Sequence, residues 1–316
     1  MNTSERTKDV PTAQPREVYL SVVVPSFNRK PALLRLLDSL GRQHMPEFEV
    51  IVVIDGSEDG SREALTDATW PFDLSVIWQP NAGRSATRNR GAAAARSNLL
   101  LFVDDDMVLE PDCVARHVQF HARQPESVLV GQVPIRGDEP ETDVLHFRRH
   151  LEAGWTRHFP TGCAPFPPEL VYLTAGHFSI SKPLFKAIGG FEIKDNWGED
   201  RLLAIKLRER GVSIWYDPLA VAWHHDPLTF ERLVLRLRHE WLTPTHQLTS
   251  SKSVSYVLKR ILLYPFASSR WVLDVDRPAS WLAPMPKRLR WLCYRCILTA
   301  LVYYYPQKPL AAQPKP

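Results

Sequence analysis

The chain of 316 residues is 44% hydrophobic and 23% charged, enough apolar material for a packed core, which excludes a disordered chain. No apolar run reaches the ~18 residues of a spanning helix and none lies near Met1 as a signal peptide would, so a cytoplasmic protein is expected. The net charge of +4 hides an asymmetry, because residues 251–316 hold 11 Lys and Arg against 2 Asp and leave the rest of the chain at −5.

Residues 1–16 are polar and read as a flexible arm ahead of a catalytic domain over 17–226. Val18–Pro25 is a near-continuous β-branched run, which predicts a strand buried on both faces of a parallel sheet. Pro31–Leu40 has leucines at helical spacing behind an N-terminal proline. Strands follow at Val50–Ile54 and Leu74–Trp78, a helix at Ser85–Arg96 and a strand at Leu99–Val103. This alternation implies crossover units and a mostly parallel, Rossmann-like α/β sheet, with ligands outside the C-terminal strand ends. Beyond it the pattern predicts a strand over Val128–Ile135, a helix near 142–153, a strand at Phe178–Ser181 and a helical turn at Pro183–Ile188. A helix over Asp200–Arg210 and strands at Val212–Trp215 and Leu219–Trp223 complete the domain. Residues 227–316 read as a basic, aromatic helical extension, with helices at Leu228–Leu242, 253–273 and 287–304.

The polar residues fall where such a sheet binds ligands. Pro25-Ser-Phe-Asn28, Asp55-Gly-Ser57 and Asp104-Asp-Asp106 each follow a predicted buried strand directly, so the three tips converge on one crevice. An acidic cluster there suits a hard divalent cation that bridges phosphates. Asn81–Gly91 opens a helix with Gly83, Arg84, Arg88 and Arg90, and a helix N-terminus suits a pyrophosphate. Of the four cysteines, Cys113, Cys163, Cys293 and Cys296, only the last two share metal-like spacing, and no second pair follows; all four read as free thiols.

Together these segments resemble the family 2 glycosyltransferases of the GT-A fold. The resemblance rests on Val23–Arg29, Val53–Ser57, Asn81–Gly91 and Phe102–Asp106, then Gly189-Gly-Phe191, Trp197-Gly-Glu-Asp200 and Val221–His224, in order over about residues 18–226. It implies a nucleotide-binding half over 17–106 and an acceptor half over 107–226. Pro25, Ser26, Asn28 and Arg29 would line the nucleotide pocket, and Asp55 would accept from the base edge. Asp104 and Asp106 would form the Asp-x-Asp motif of a Mn2+ or Mg2+ site, with Asp106 as the direct ligand and Asp104, with Asp105, on the donor side. Gly83, Arg84 and Arg88 would meet the diphosphate.

Glu199-Asp200 matches the position of the family's catalytic base, with Asp200 as the base and Glu199 as an orienting or acceptor-binding neighbour. An acceptor hydroxyl must lose its proton as it attacks, and a carboxylate within hydrogen-bond reach can take it. His224 would be the third metal ligand, ahead of His225, and Trp197 and Trp223 could stack on sugar rings or serve the core. Two positions depart from the family pattern: Ile54-Asp55 retains only the second of the usual acid pair, and His177 stands where the family often has Asn.

The expected activity is metal-dependent, inverting transfer from a nucleotide-diphosphate sugar, a UDP-sugar foremost, to a glycan, lipid-linked or natural-product hydroxyl. The alternatives are an inactive nucleotide-sugar-binding protein and a nucleotidyltransferase, the latter disfavoured because Pro25-Ser-Phe-Asn-Arg29 is not a Gly-rich, Lys-containing loop. The 251–316 tail could contact an anionic membrane surface, pack on the body or form a homodimer; no module accompanies its charge to suggest nucleic acid.

Overall fold

The structure is a computed structural model that describes residues 18–135, 156–192 and 198–225, with Leu145, Arg149, Glu152, Ala153 and Pro286. The expected helices over 142–153 and in the extension, Trp197, Cys293, Cys296 and the 251–316 tail lie outside the described residues, apart from those isolated positions.

Four strands, β1 (Leu20–Ser26), β2 (Phe48–Asp55), β3 (Asp73–Gln79) and β4 (Leu99–Val103), pair in parallel in the order β3-β2-β1-β4. Helices α1 (Lys30–Leu40), α2 (Ser61–Thr66) and α3 (Arg84–Ala94) fall between them in the chain. The uninterrupted apolar runs are explained by cover on both faces. Val22 and Val24 of β1 join α1's Leu33, Leu36, Leu37 and Leu40 in one core cluster, while the intervening Val23 joins a second with Val53, Ala92 and Phe102. In that second core Phe102 stacks on Phe178 at 4.9 Å between centroids and meets Phe191 edge-on at 5.4 Å.

The sheet continues past β4 with mixed direction. The chain runs through β5 (Met107–Leu109), α4 (Cys113–Arg123), β6 (Val128–Gln132), β7 (Ala164–Pro165) and β8 (His177–Ser181). It then forms α5 (Lys182–Ala187), α6 (Glu199–Glu209) and β9 (Ile214–His224). β8 pairs antiparallel to β4 and β6, and β6 pairs parallel to β9. The C-terminal end of β4 therefore lies beside the start of β8, with Val103 opposite His177.

Two expectations are corrected here. The two strands read at Val212–Trp215 and Leu219–Trp223 are one, β9, which crosses Pro218 by shifting register between Gly131 and Gln132 of β6. A proline cannot donate to the ladder, and an irregularity lets the strand pass it. The strand expected over Val128–Ile135 stops at Gln132, leaving Ile135 only a bridge to His224. Helix α4 carries no clear apolar period in the sequence, because its buried face, Cys113, Val114, His117, Phe120 and His121, includes two histidines.

Gly91 fixes how closely α3 approaches the sheet. A Cβ there would sit 2.4 Å from Val23 Cγ1 and 3.3 Å from Val53 Cγ2, so even one methyl group has no room. Gly91→Ala is expected to destabilise the fold by about 1–3 kcal/mol despite alanine's better helix propensity. A urea denaturation curve with an unchanged or raised midpoint would show that α3 can shift freely.

Candidate active site

The first two strand tips are tied to each other. Asn28 sits at φ 51°, a left-handed conformation that asparagine tolerates. Its N–H donates to Ser57 Oγ at 2.9 Å, and its side-chain oxygen accepts from the Glu58 N–H at 3.1 Å. Pro25 is half-buried at the end of β1, and buried Ser26 donates to Asp105 Oδ2 at 2.7 Å.

Asp55, the last residue of β2, holds the next loop. Its carboxylate accepts from the N–H groups of Ala82 (2.8 Å) and Gly83 (2.9 Å) and from Gln79 Nε2 (2.7 Å). A carboxylate offers about four acceptor sites, so three serve the chain and the residue is first a clamp on 81–83. Gly83, at φ 86°, then caps α3, with Arg84 exposed at the helix's first position. Sequence reading missed Gln79, although a polar residue closing β3 just before Pro80-Asn81 was a visible signal.

The three aspartates part ways. Asp106 Oδ2 receives Arg29 Nη1 and lies 3.4 Å from His224 Nε2, while Asp106 Oδ1 is buried with no hydrogen-bond partner among the described residues. Burial opposes ionisation of Asp106, yet His224 and then Arg29 hold its carboxyl well below the usual range. Asp105 is pushed up to about 7, by burial first and by Asp106 second. Asp104 instead directs Oδ1 to Arg88 Nη2 at 2.6 Å.

The antiparallel pairing of β5 with β9 sets Met107 opposite His224, and the His225 N–H donates to the Asp106 carbonyl at 2.8 Å. That long-range pairing carries His224 to Asp106. The donor set, one carboxylate oxygen buried without a partner beside an imidazole, fits a divalent cation. Asp104 differs from this pair in that its Oδ1 is held by Arg88 Nη2 while its side chain stays 32% exposed.

Arg88, expected to meet the diphosphate, is engaged by two acids. Its side chain is 2% exposed and bridges Asp104 Oδ1 and Glu199 Oε1 (2.9 Å), with Phe191 5.5 Å below its guanidinium. Burial disfavours its charge, but Asp104 and Glu199 together raise its pKa further above the ordinary value. Arg88 is thus a clasp between α3, the β4 tip and α6. Asn89 adds a second tie, donating to the Phe191 carbonyl (2.8 Å) and accepting its N–H (3.0 Å).

Glu199 and Asp200 open α6 behind Gly198, which has the left-handed φ of 79°. Glu199 is buried against Arg88. Burial first, and Glu199 second, push Asp200 up to about 6, opposed by the N–H groups of Arg201 and Ala175. A carboxyl at that level is ionised near neutral pH yet retains affinity for a proton, which suits a base. His177, where the family often has Asn, is fully buried, with its Nε2 3.2 Å from Cys113 Sγ and 3.1 Å from His117 Nε2. It does not face the crevice formed by these loops.

A parallel half-sheet with an acidic triplet at its edge, joined to a mixed half that returns a histidine to that edge, is the GT-A class of α/β domain. The chain belongs to the glycosyl transferase family 2, whose profile matches residues 21–189. It is 38% identical over 114 residues to the uncharacterized glycosyltransferase YfnE of Bacillus subtilis (strain 168), a match covering 35% of this chain and 29% of that one. Over 127 residues it is 33% identical to the validoxylamine A glucosyltransferase of Streptomyces hygroscopicus subsp. jinggangensis (strain 5008), covering 39% and 30%. The matched stretch spans under a third of each relative.

Among solved structures, the mannosyltransferase PcManGT from Pyrobaculum calidifontis, in complex with GDP-Man and Mn2+, superposes with a TM-score of 0.59 at 17% identity. That likeness covers 92% of this chain and 86% of PcManGT. S. aureus TarS 1-349 in complex with UDP-GlcNAc gives 0.52 at 18% identity, over 87% and 79%. These likenesses concern the fold. No described helix is long and apolar enough to cross a membrane.

Proposed function

We propose that this protein transfers a glycosyl group, with inversion, from a nucleotide-diphosphate sugar to an acceptor hydroxyl. The observation that carries the reading is the Asp106 carboxylate, with one oxygen buried and without a partner, beside His224 at the end of a parallel half-sheet. The relatives named as glycosyltransferases, and the folds seen with GDP-Man and UDP-GlcNAc, support a nucleotide-sugar donor.

In this reading the loops at Pro25–Arg29, Asp55–Ser57 and 81–83 hold the nucleotide, with the first turn of α3 and Arg84 next to the diphosphate. Asp106 and His224 would hold a Mn2+ or Mg2+ ion, which supplies positive charge to offset the negative charge building on the departing diphosphate. Asp200 takes the acceptor's hydroxyl proton as its oxygen attacks the anomeric carbon. The bond from that carbon to the diphosphate oxygen breaks in the same displacement, and its electron pair leaves with the diphosphate. A single base on the acceptor side is the arrangement that yields inversion. Glu199 and Arg88 position the α6 start and the Asp104 tip without touching the reacting atoms.

The direct test is mass spectrometry of hydrolysis or transfer across UDP-, GDP- and dTDP-sugars with manganese. Asp106→Ala should abolish metal-dependent donor binding in a calorimetric titration, since it removes the anionic ligand. His224→Ala should raise the metal concentration giving half-maximal activity, and His225→Ala should leave it unchanged. Donor binding by Asp106→Ala at wild-type affinity would remove the metal from this site.

A further inference from the structure

Away from the crevice, α4 and β8 bring together a second set of metal-ligating side chains. Cys113 and His117 stand four residues apart on the helix, and so on one face. His177 lies across from them on β8, and all three side chains are completely buried. Their ligand atoms lie within 4.8 Å of one another, with Cys113 Sγ and His117 Nε2 at 3.2 and 3.1 Å from His177 Nε2. Around a tetrahedral zinc with Zn–S about 2.3 Å and Zn–N about 2.0–2.1 Å, the corresponding spacings are about 3.5 Å and about 3.3 Å. A small outward movement of each side chain would admit the ion.

We propose that Cys113, His117 and His177 form a buried structural site for a zinc ion, separate from the crevice.

Three features favour an ion over hydrogen bonding alone. His177 Nδ1 lies 3.3 Å from the Gln132 carbonyl, a bond that requires the proton on Nδ1 and leaves Nε2 as a bare lone pair. That one in-plane lone pair faces both Cys113 Sγ and His117 Nε2, and it cannot accept well from both; a metal ion satisfies all three at once. Each imidazole also has an outer partner on its other nitrogen, Gln132 O for His177 and Ser179 Oγ, at 2.7 Å, for His117, as metal-bound histidines do. Gly131 seats the His177 ring, since a Cβ there would lie 2.1 Å from its Cε1.

The electrostatics are compatible. Burial pushes both ligand histidines below their ordinary pKa, so they are neutral, as ligands must be. Burial first, and Asp217 second, raise the Cys113 thiol. Coordination would replace its S–H with an S–Zn bond and release the proton to solvent. The fourth position would go to a water or a main-chain oxygen, since no further His, Cys, Asp or Glu joins the group among the described residues. A fully buried ion enters as the chain folds and should resist chelators in the native state, unlike an ion at Asp106.

The test uses full-length protein grown with zinc and passed through a sizing column in EDTA. Elemental analysis should find about one zinc per chain in the wild type and in C163S/C293S/C296S, whose sole cysteine is Cys113, and under about a tenth in Cys113→Ser. After refolding with Co2+, the sole-cysteine variant should show the near-ultraviolet thiolate-to-cobalt charge-transfer band. A natively folded wild type that retains no zinc overturns the proposal, as does a sole-cysteine variant without the cobalt band. Both readouts stand even where Cys113→Ser fails to fold. A failed donor screen would leave them untouched, so this site and the proposed activity are tested separately.

Discussion

Asp200→Asn is expected to lower turnover by roughly 10²–10⁴-fold, the usual cost of losing a general base, while donor affinity stays within a few-fold of wild type. Single-turnover transfer and calorimetric donor titration separate the two effects. Only the ionised carboxylate can accept the proton. Burial and Glu199 push Asp200 up to about 6, so wild-type activity should rise with pH through a limb near that value and the variant should lack the limb. The sign for stability is opposite to that of a paired carboxylate. A folded pKa above the ordinary value of 3.8 means that ionised Asp200 costs the folded state free energy above about pH 6 and nothing below about 3.8. Asparagine removes that cost, so the variant should melt no lower than wild type at neutral pH. Turnover within tenfold of wild type would place the base elsewhere. Glu199 is a poor substitute, with Oε1 held by Arg88.

Arg88→Met should destabilise the fold by about 3–5 kcal/mol, because it strips the cation from Glu199 and Asp104 and leaves Glu199 as an uncompensated buried charge. Equilibrium urea unfolding reads this directly, and the deficit should shrink at acid pH as the carboxyls take up protons. Arg88→Lys keeps the charge but not the planar fork that reaches both acids, and should fall between the two. A loss below 1 kcal/mol, with donor affinity reduced instead, would return Arg88 to the diphosphate.

The sequence disclosed the parallel half best, because a strand buried on both faces writes an uninterrupted apolar run and its tip a sudden polar one. Val50–Ile54 ending at Asp55 and Leu99–Val103 ending at Asp104 are the clearest cases, and the structure extends them by at most two residues at either end. What each tip residue does was less legible. Asp104, Asp105 and Asp106 are chemically identical in the sequence, yet Arg88, Ser26 and the Arg29–His224 pair give them different neighbours, and all four come from distant segments. Arg88 reads in the sequence only as a cation of the Asn81–Gly91 helix start, because nothing local marks the acids that bury it. The α4 face failed for a different reason: Cys113, His117 and His121 keep helical spacing, but histidines in a core do not register as apolar.

The ties from Asn28 to Ser57 and Glu58, and from Asp55 to Ala82 and Gly83, have a consequence for recognition. Fixing a backbone residue costs about 1–2 kcal/mol of entropy, and here folding itself has already immobilised those segments. In the proposed reading, a nucleotide arriving at the crevice would meet walls that need not reorganise, and its capture would be governed by encounter rather than by rearrangement. The same stiffness has a reverse side, because a base of the wrong outline cannot be accommodated by a yielding loop. Selectivity among nucleotides would therefore be written into the scaffold before any donor arrives, whereas an acceptor need not meet walls set in the same way.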